Sequence, residues 1–151
     1  MKKESKNTRA DANSSKAKTS KVEEPMAVYR SIKKLPSLKD FTFNEFKKIA
    51  DVAPFNQAEW SAMLHVSERT LQRYAKSNGT FAPMNAERAL QIAKVLEQGT
   101  ITFGSTNLFY NWLKGHPNML EGDLSFESLT SAEGIQMVIT QLGRIQHGIL
   151  A

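Results

Sequence analysis

The residues best suited to chemistry in this chain sit between positions 57 and 76. Arg69, Thr70, Gln72, Arg73 and Lys76 follow Ser67 at spacings that turn all five away from an inward Leu71 and Tyr74 on one helix. Arg can grip a guanine edge with two hydrogen bonds, and Gln can do the same for adenine. Gln57 opens the preceding helix, where its amide and the nearby backbone N–H groups suit a phosphate. Such a set recognises; it does not catalyse. His65, His116 and His147 are too far apart for a local metal motif, and there is no Cys. A Gly-rich phosphate loop, a nucleophile elbow and clustered carboxylates are also missing. The expectation is a binding protein with no cofactor and no metal, not an enzyme.

Recognition needs elements to hold it. Residues 1–24 lack Leu, Ile and aromatics, so they cannot bury enough apolar area to offset ordering, and a disordered basic tail is expected. Tyr29, Ile32 and Leu35 are spaced by threes before Pro36 and suit one short packed turn. Thr42 with Glu45 predicts a capping box for a helix over about 43–52, which carries Phe43, Phe46 and Ile49 and is stopped by Pro54. Asn56 with Glu59 predicts the next start, and Trp60, Met63 and Leu64 its buried face. His65-Val66 makes a turn, Ser67 has N-cap chemistry, and the third helix runs from Glu68 to about Ser77, ended by Asn78-Gly79. A fourth helix is expected from about Ala86 to Gly99.

Residues 100–104 read as a connector in which Ile101 and Phe103 alternate with Thr. Ser105 then caps a helix to Leu113 with Leu108, Phe109 and Trp112 on its apolar face. Gly115, Pro117 and Gly122 break the chain, and a short turn holds Phe126 and Leu129. Thr130 with Glu133 predicts another capping box. The last helix carries Ile135, Val138, Ile139, Leu142 and Ile145, leaving residues 147–151 beyond the core. Trp60 and Trp112 read first as core aromatics. The fold class is all-α.

Charge divides the chain. Of 20 Lys+Arg and 15 Asp+Glu, residues 1–100 carry a net +7 and residues 101–151 a net −2. A basic body fits a polyanion or an acidic partner. No stretch approaches the ~18 apolar residues of a membrane span. The basic N-terminus has no apolar run behind it, so a secretory signal is not expected. These features point to a cytoplasmic protein with no membrane partner.

The string Gln57 to Arg73 resembles the helix-turn-helix of the Xre family. Gln57, Leu64, Val66, Ser67, Thr70, Leu71 and Arg73 match in order, while Trp60, Ser61 and His65 replace the usual Leu, Ala and turn Gly. His tolerates positive φ better than most residues. The later string Phe109, Trp112-Leu113, Pro117-Asn118, Leu120, Gly122, Glu133-Gly134 and Leu142 to Gly148 resembles the C-terminal domain of Xre/MbcA/ParS antitoxins. Ser125 and Asp123 depart from a Pro and a basic residue common there.

Composition and this double resemblance together imply three segments: a tail over 1–24, a DNA-binding helix-turn-helix domain over 25–100, and a small helical toxin-binding domain over 101–151. It implies a type II antitoxin that neutralises a RES-domain, NAD-consuming toxin, dimerises, and represses its own operon at operator DNA. The DNA-binding set is then Gln57, Ser67, Arg69, Thr70, Gln72, Arg73 and Lys76. The toxin-binding set is Trp112, Arg144, His147, Gly148, Ile149, Leu150 and Ala151, with the apolar tip and terminal carboxylate plugging the cleft. Two alternatives stay open: a stand-alone helix-turn-helix regulator whose C-terminal domain dimerises or senses a ligand, and an adaptor whose basic half binds an acidic protein.

Overall fold

The computed structural model describes residues 41–119 and 122–149. The expected tail, the Tyr29–Leu35 lead-in, Leu120, Leu150 and Ala151 lie outside these residues. Among the described residues six α-helices form the architecture: α1 (Phe43–Ala50), α2 (Gln57–Leu64), α3 (Glu68–Ser77), α4 (Pro83–Phe103), α5 (Thr106–Lys114) and α6 (Ala132–Gln146). Between α5 and α6 sit a two-residue antiparallel pair, β1 (Asn118–Met119) with β2 (Gly122–Asp123), and a 3-10 turn over Phe126–Thr130. The fold is helical, as the sequence implies.

Thr42 stands at the N-cap of α1 in extended conformation, but its side chain makes no cap bond. The orphan N–H groups of that end go elsewhere. Phe43 N–H donates to the Gly79 carbonyl and Asn44 N–H to Asn78 Oδ1, each at 2.9 Å. Glu45, expected to complete the box, instead pairs with Lys48. The start of α1 is therefore fastened to the end of α3. An isolated bridge between Thr42 and Thr80 and a bond from Phe81 N–H to the Phe41 carbonyl extend this seam.

The second start follows the sequence closely. Asn56 Oδ1 accepts from Glu59 N–H at 2.8 Å, and Glu59 Oε2 accepts from Asn56 N–H at 3.0 Å, a complete capping box. His65 closes α2 in left-handed conformation, φ 57° and ψ 39°. Ser67 caps α3, and Asn78 ends it at φ 49°. Asn85 Nδ2 donates to the Leu64 carbonyl at 2.7 Å, satisfying one of the last acceptors of α2 from α4.

α4 corrects two expectations. It starts at Pro83, whose missing N–H costs nothing in the first turn, and runs on to Phe103. Gly99 does not stop it. A Cβ there would fall inside van der Waals distance of the Phe109 ring, so this glycine lets α5 press against the α4 backbone. Gly104 at φ +85° is the true stop. Ile101 and Phe103 are helical rather than extended, and the division between 100 and 101 falls inside α4. Buried side chains from Phe41 to Leu142 form one cluster around α4, which packs against α1, α2, α5 and α6.

Ser105 caps α5 through Leu108 N–H. Phe109 and Leu113 are buried on its inner face, but Leu108, expected there, is 55% exposed. Full burial of a side chain such as Leu113 contributes ~1.5–3 kcal/mol. The cap of α6 is Ser131, one residue past the expected Thr130, and it accepts from Gly134 N–H at 3.0 Å. Thr130 Oγ1 donates instead to the Glu127 carbonyl. Ile135, Val138 and Leu142 are buried, whereas Ile139 and Ile145 are half-buried.

Residues 147–149 do not hang free of α6. Gly148 takes φ +69°, its N–H donates to the Ile145 carbonyl, and Ile149 N–H donates to the Arg144 carbonyl at 2.9 Å. These two bonds are the Schellman closure of a helix.

Candidate nucleic-acid interface and C-terminal surface

α3 is held by its neighbours on one side and bare on the other. Leu71 is buried, and Tyr74 is half-buried with its ring edge-on to Phe81 at 5.0 Å. The remaining side chains are left facing out. Arg69, Gln72, Arg73 and Lys76 are exposed, and with Thr70 they line one open depression. Five of the seven residues expected to contact DNA thus come together on a single surface. Three of them carry positive charge, which is the electrostatic footprint for phosphates.

The other two serve the framework. Ser67 Oγ accepts from Thr70 N–H at 3.0 Å and donates to Thr70 Oγ1 at 2.8 Å. That fixes the first turn of α3 and the Thr70 rotamer. Gln57 Nε2 donates to the Glu68 carbonyl at 3.2 Å, so its amide nitrogen ties the start of α2 to the start of α3. Ser61 Oγ donates to the Gln57 carbonyl, which keeps this small hydroxyl satisfied where the helices cross. Val66 N–H donates to the Ser61 carbonyl within the turn.

Two contacts that the sequence did not signal join this unit to the C-terminal half. Glu59, buried in α2, receives Tyr110 OH at 3.1 Å and pairs with Lys114, both from α5. Lys114 Nζ also lies 4.7 Å from the centre of the Phe126 ring. Burial opposes the charge on Glu59, but hydrogen bonds from Lys114, the Asn56 N–H and Tyr110 outweigh it and hold the carboxyl below its ordinary range. The hydrogen bond to Glu59 pushes Lys114 up, and burial followed by that carboxylate pushes the Tyr110 phenol up. The second contact is His65 Nε2, 2.6 Å from the Thr130 carbonyl.

On the C-terminal side, Trp112 is half-buried and lies against Phe103 at 5.1 Å and Phe109 at 6.1 Å. It belongs partly to the α4–α5 packing. Arg144 is half-buried, and His147 is the exposed C-cap of α6. Ile149, 57% exposed, is offered on the closed helix end. Gln146 Nε2 donates to Thr102 Oγ1 at 2.9 Å and to Gln98 Oε1 at 3.3 Å, so the end of α6 is drawn onto the end of α4. Among the described residues no three His, Cys, Asp or Glu gather as a metal site, and no helix is long and apolar enough to cross a membrane.

Capped helices around a left-handed turn, with a polar outer face on the second, define a helix-turn-helix unit. Residues 43–94 match the family model of the antitoxin Xre-like helix-turn-helix domain, a span that takes in α1 to α3 and the first half of α4. No curated protein matches the chain.

Proposed function

We propose that this chain is the antitoxin of a RES–Xre toxin–antitoxin pair. α3 enters the major groove of operator DNA, with Arg69, Gln72 and Arg73 toward base edges and Lys76 toward phosphate. The C-terminal region covers the active site of a NAD-consuming RES-domain toxin. The protein acts in the cytoplasm as a homodimer, because paired half-sites on DNA require paired reading helices. The observation that carries this reading is the exposed row on α3 within a span matching an antitoxin helix-turn-helix domain.

The C-terminal contribution differs from a loose plug. His147, Gly148 and Ile149 are fixed by the closure of α6, so they approach a partner as a rigid end. Rigidity lowers the entropy lost on binding.

Two titrations test the reading. The full chain is added to its own promoter at several salt concentrations, and separately to a purified RES-domain toxin from the same host while NAD consumption is followed. Saturable operator binding and stoichiometric inhibition support it. Operator binding with no inhibition moves the conclusion to a stand-alone regulator, and failure of both removes the DNA reading as well.

A further inference from the structure

A second concavity lies beside the reading helix. It is a groove of about 250 Å3 between α1, α2 and α3, walled by Phe43, Ala50, Phe55 and Ala75, with Gln57 and Gln72 on its border. Left to solvent, it would hold roughly eight waters at ~30 Å3 each against mostly aromatic and methyl walls. Apolar walls favour an apolar filling.

The chain itself supplies one. The described residues begin at Phe41, two positions before the groove residue Phe43. Upstream, Val28, Ile32 and Leu35 fall at i, i+4 and i+7, with Tyr29 beside them, a spacing that would place them on one side of a helix. Residues 1–24 hold no Leu, Ile or aromatic residue and cannot compete for the site. Six residues carry the chain from Leu35 to Phe41, a reach of up to about 20 Å. The whole of α1 is about 12 Å long. By the same spacing Arg30, Lys33 and Lys34 would fall on the opposite side of a helix.

We propose that residues 28–35 of this chain dock in the groove, with Ile32 and Leu35 filling it. Docked there, the basic face lies next to Gln57 and Gln72 and widens the phosphate-binding surface of α3. That consequence rests on the DNA-binding reading above; the docking does not.

The chain has no cysteine, so an introduced pair reports cleanly. Leu35→Cys is combined with Ala75→Cys on the groove wall, or with Gln136→Cys on the exposed face of α6, in the full chain under mild oxidation. The expected result is an intramolecular disulfide that forms faster with Ala75→Cys by about tenfold or more, reflecting local concentration. Ile32→Asp should abolish that preference. Equal rates, or covalent dimers in place of the intramolecular bond, overturn the proposal. A second measurement avoids cysteines: with Trp112→Phe, Trp60 is the sole tryptophan and lines the groove. Ile32→Asp with Leu35→Asp should then raise its quenching by acrylamide, and unchanged quenching counts against docking. Loss of the DNA-binding reading would appear as a full chain that ignores its operator, with the disulfide result intact.

Discussion

His65 Nε2 lies 2.6 Å from the carbonyl oxygen of Thr130, across 65 residues of sequence. A carbonyl can only accept, so Nε2 is the donor of this pair. The same residue holds the left-handed turn between α2 and α3. A position where the Xre pattern has glycine thus does two jobs, shaping the turn and gripping the 3-10 segment that precedes α6. His65→Gly keeps the turn and loses the bond, a cost of ~0.5–1.5 kcal/mol that is offset in part by relief of the left-handed strain a Cβ brings. His65→Val loses the bond and strains the backbone by a further ~1–2 kcal/mol. Urea unfolding of the two variants should separate them by that difference.

Glu59 and its partners make stability depend on pH. Its carboxyl is lowered in the folded chain, so its contribution is complete above the ordinary carboxylate range and fades as pH falls through the lowered value. Lys114 is raised, so its share is complete below the ordinary lysine range and fades in strong alkali. Glu59→Gln should flatten the acid limb of a plot of urea midpoint against pH. At neutral pH, Glu59→Ala should cost about 1–3 kcal/mol, because Tyr110 and the Asn56 N–H lose their acceptor. An unchanged acid limb in Glu59→Gln would remove Glu59 from the account.

Two helix glycines predict opposite outcomes. Gly99→Ala places a methyl against the Phe109 ring and should destabilise by ~1–3 kcal/mol. Gly143→Ala in α6 meets open space and should stabilise by ~0.5–1 kcal/mol through better helix propensity. Melting temperatures should move in opposite directions.

On the reading face, Arg73→Ala should weaken operator binding by ~1–3 kcal/mol and relax preference at one base pair. Lys76→Ala should weaken all sequences alike and lower the salt slope by about 0.9. Binding isotherms at several salt concentrations distinguish the two.

A chain ending at His147 loses the Gly148 and Ile149 bonds that close α6, whereas one ending at Ile149 keeps them. The shorter chain should be less stable by ~1–3 kcal/mol at ~0.5–1.5 per bond. Circular dichroism melts of both chains check this.

The local grammar of the helix-turn-helix was legible because each signal is contained within a few residues. The cap and turn bonds of Asn56 with Glu59, of His65, of Ser67 and of Asn78 are made with near neighbours, even where the same side chains also reach distant ones. Where a residue answers to a distant partner, local grammar misleads. Gly99 reads as a stop until Phe109 is seen against it, and Thr42 reads as a cap until Asn78 and Gly79 take its role. Thr130 and Ser131 compete for one cap, and only the chain direction set by the 3-10 turn decides between them. The link from Glu59 to Lys114 spans 55 positions and leaves no periodic trace.

The uninterrupted α4 has a mechanical meaning. Its 21 residues make a strut of about 30 Å that is shared by the helix-turn-helix and the C-terminal helices. Glu59–Lys114 and His65–Thr130 brace the same two halves from the side. On the proposed function, a partner that seizes the C-terminal end would take its bearing on the duplex from this shared strut. The angle between partner and DNA would then be written into the polypeptide before either arrives.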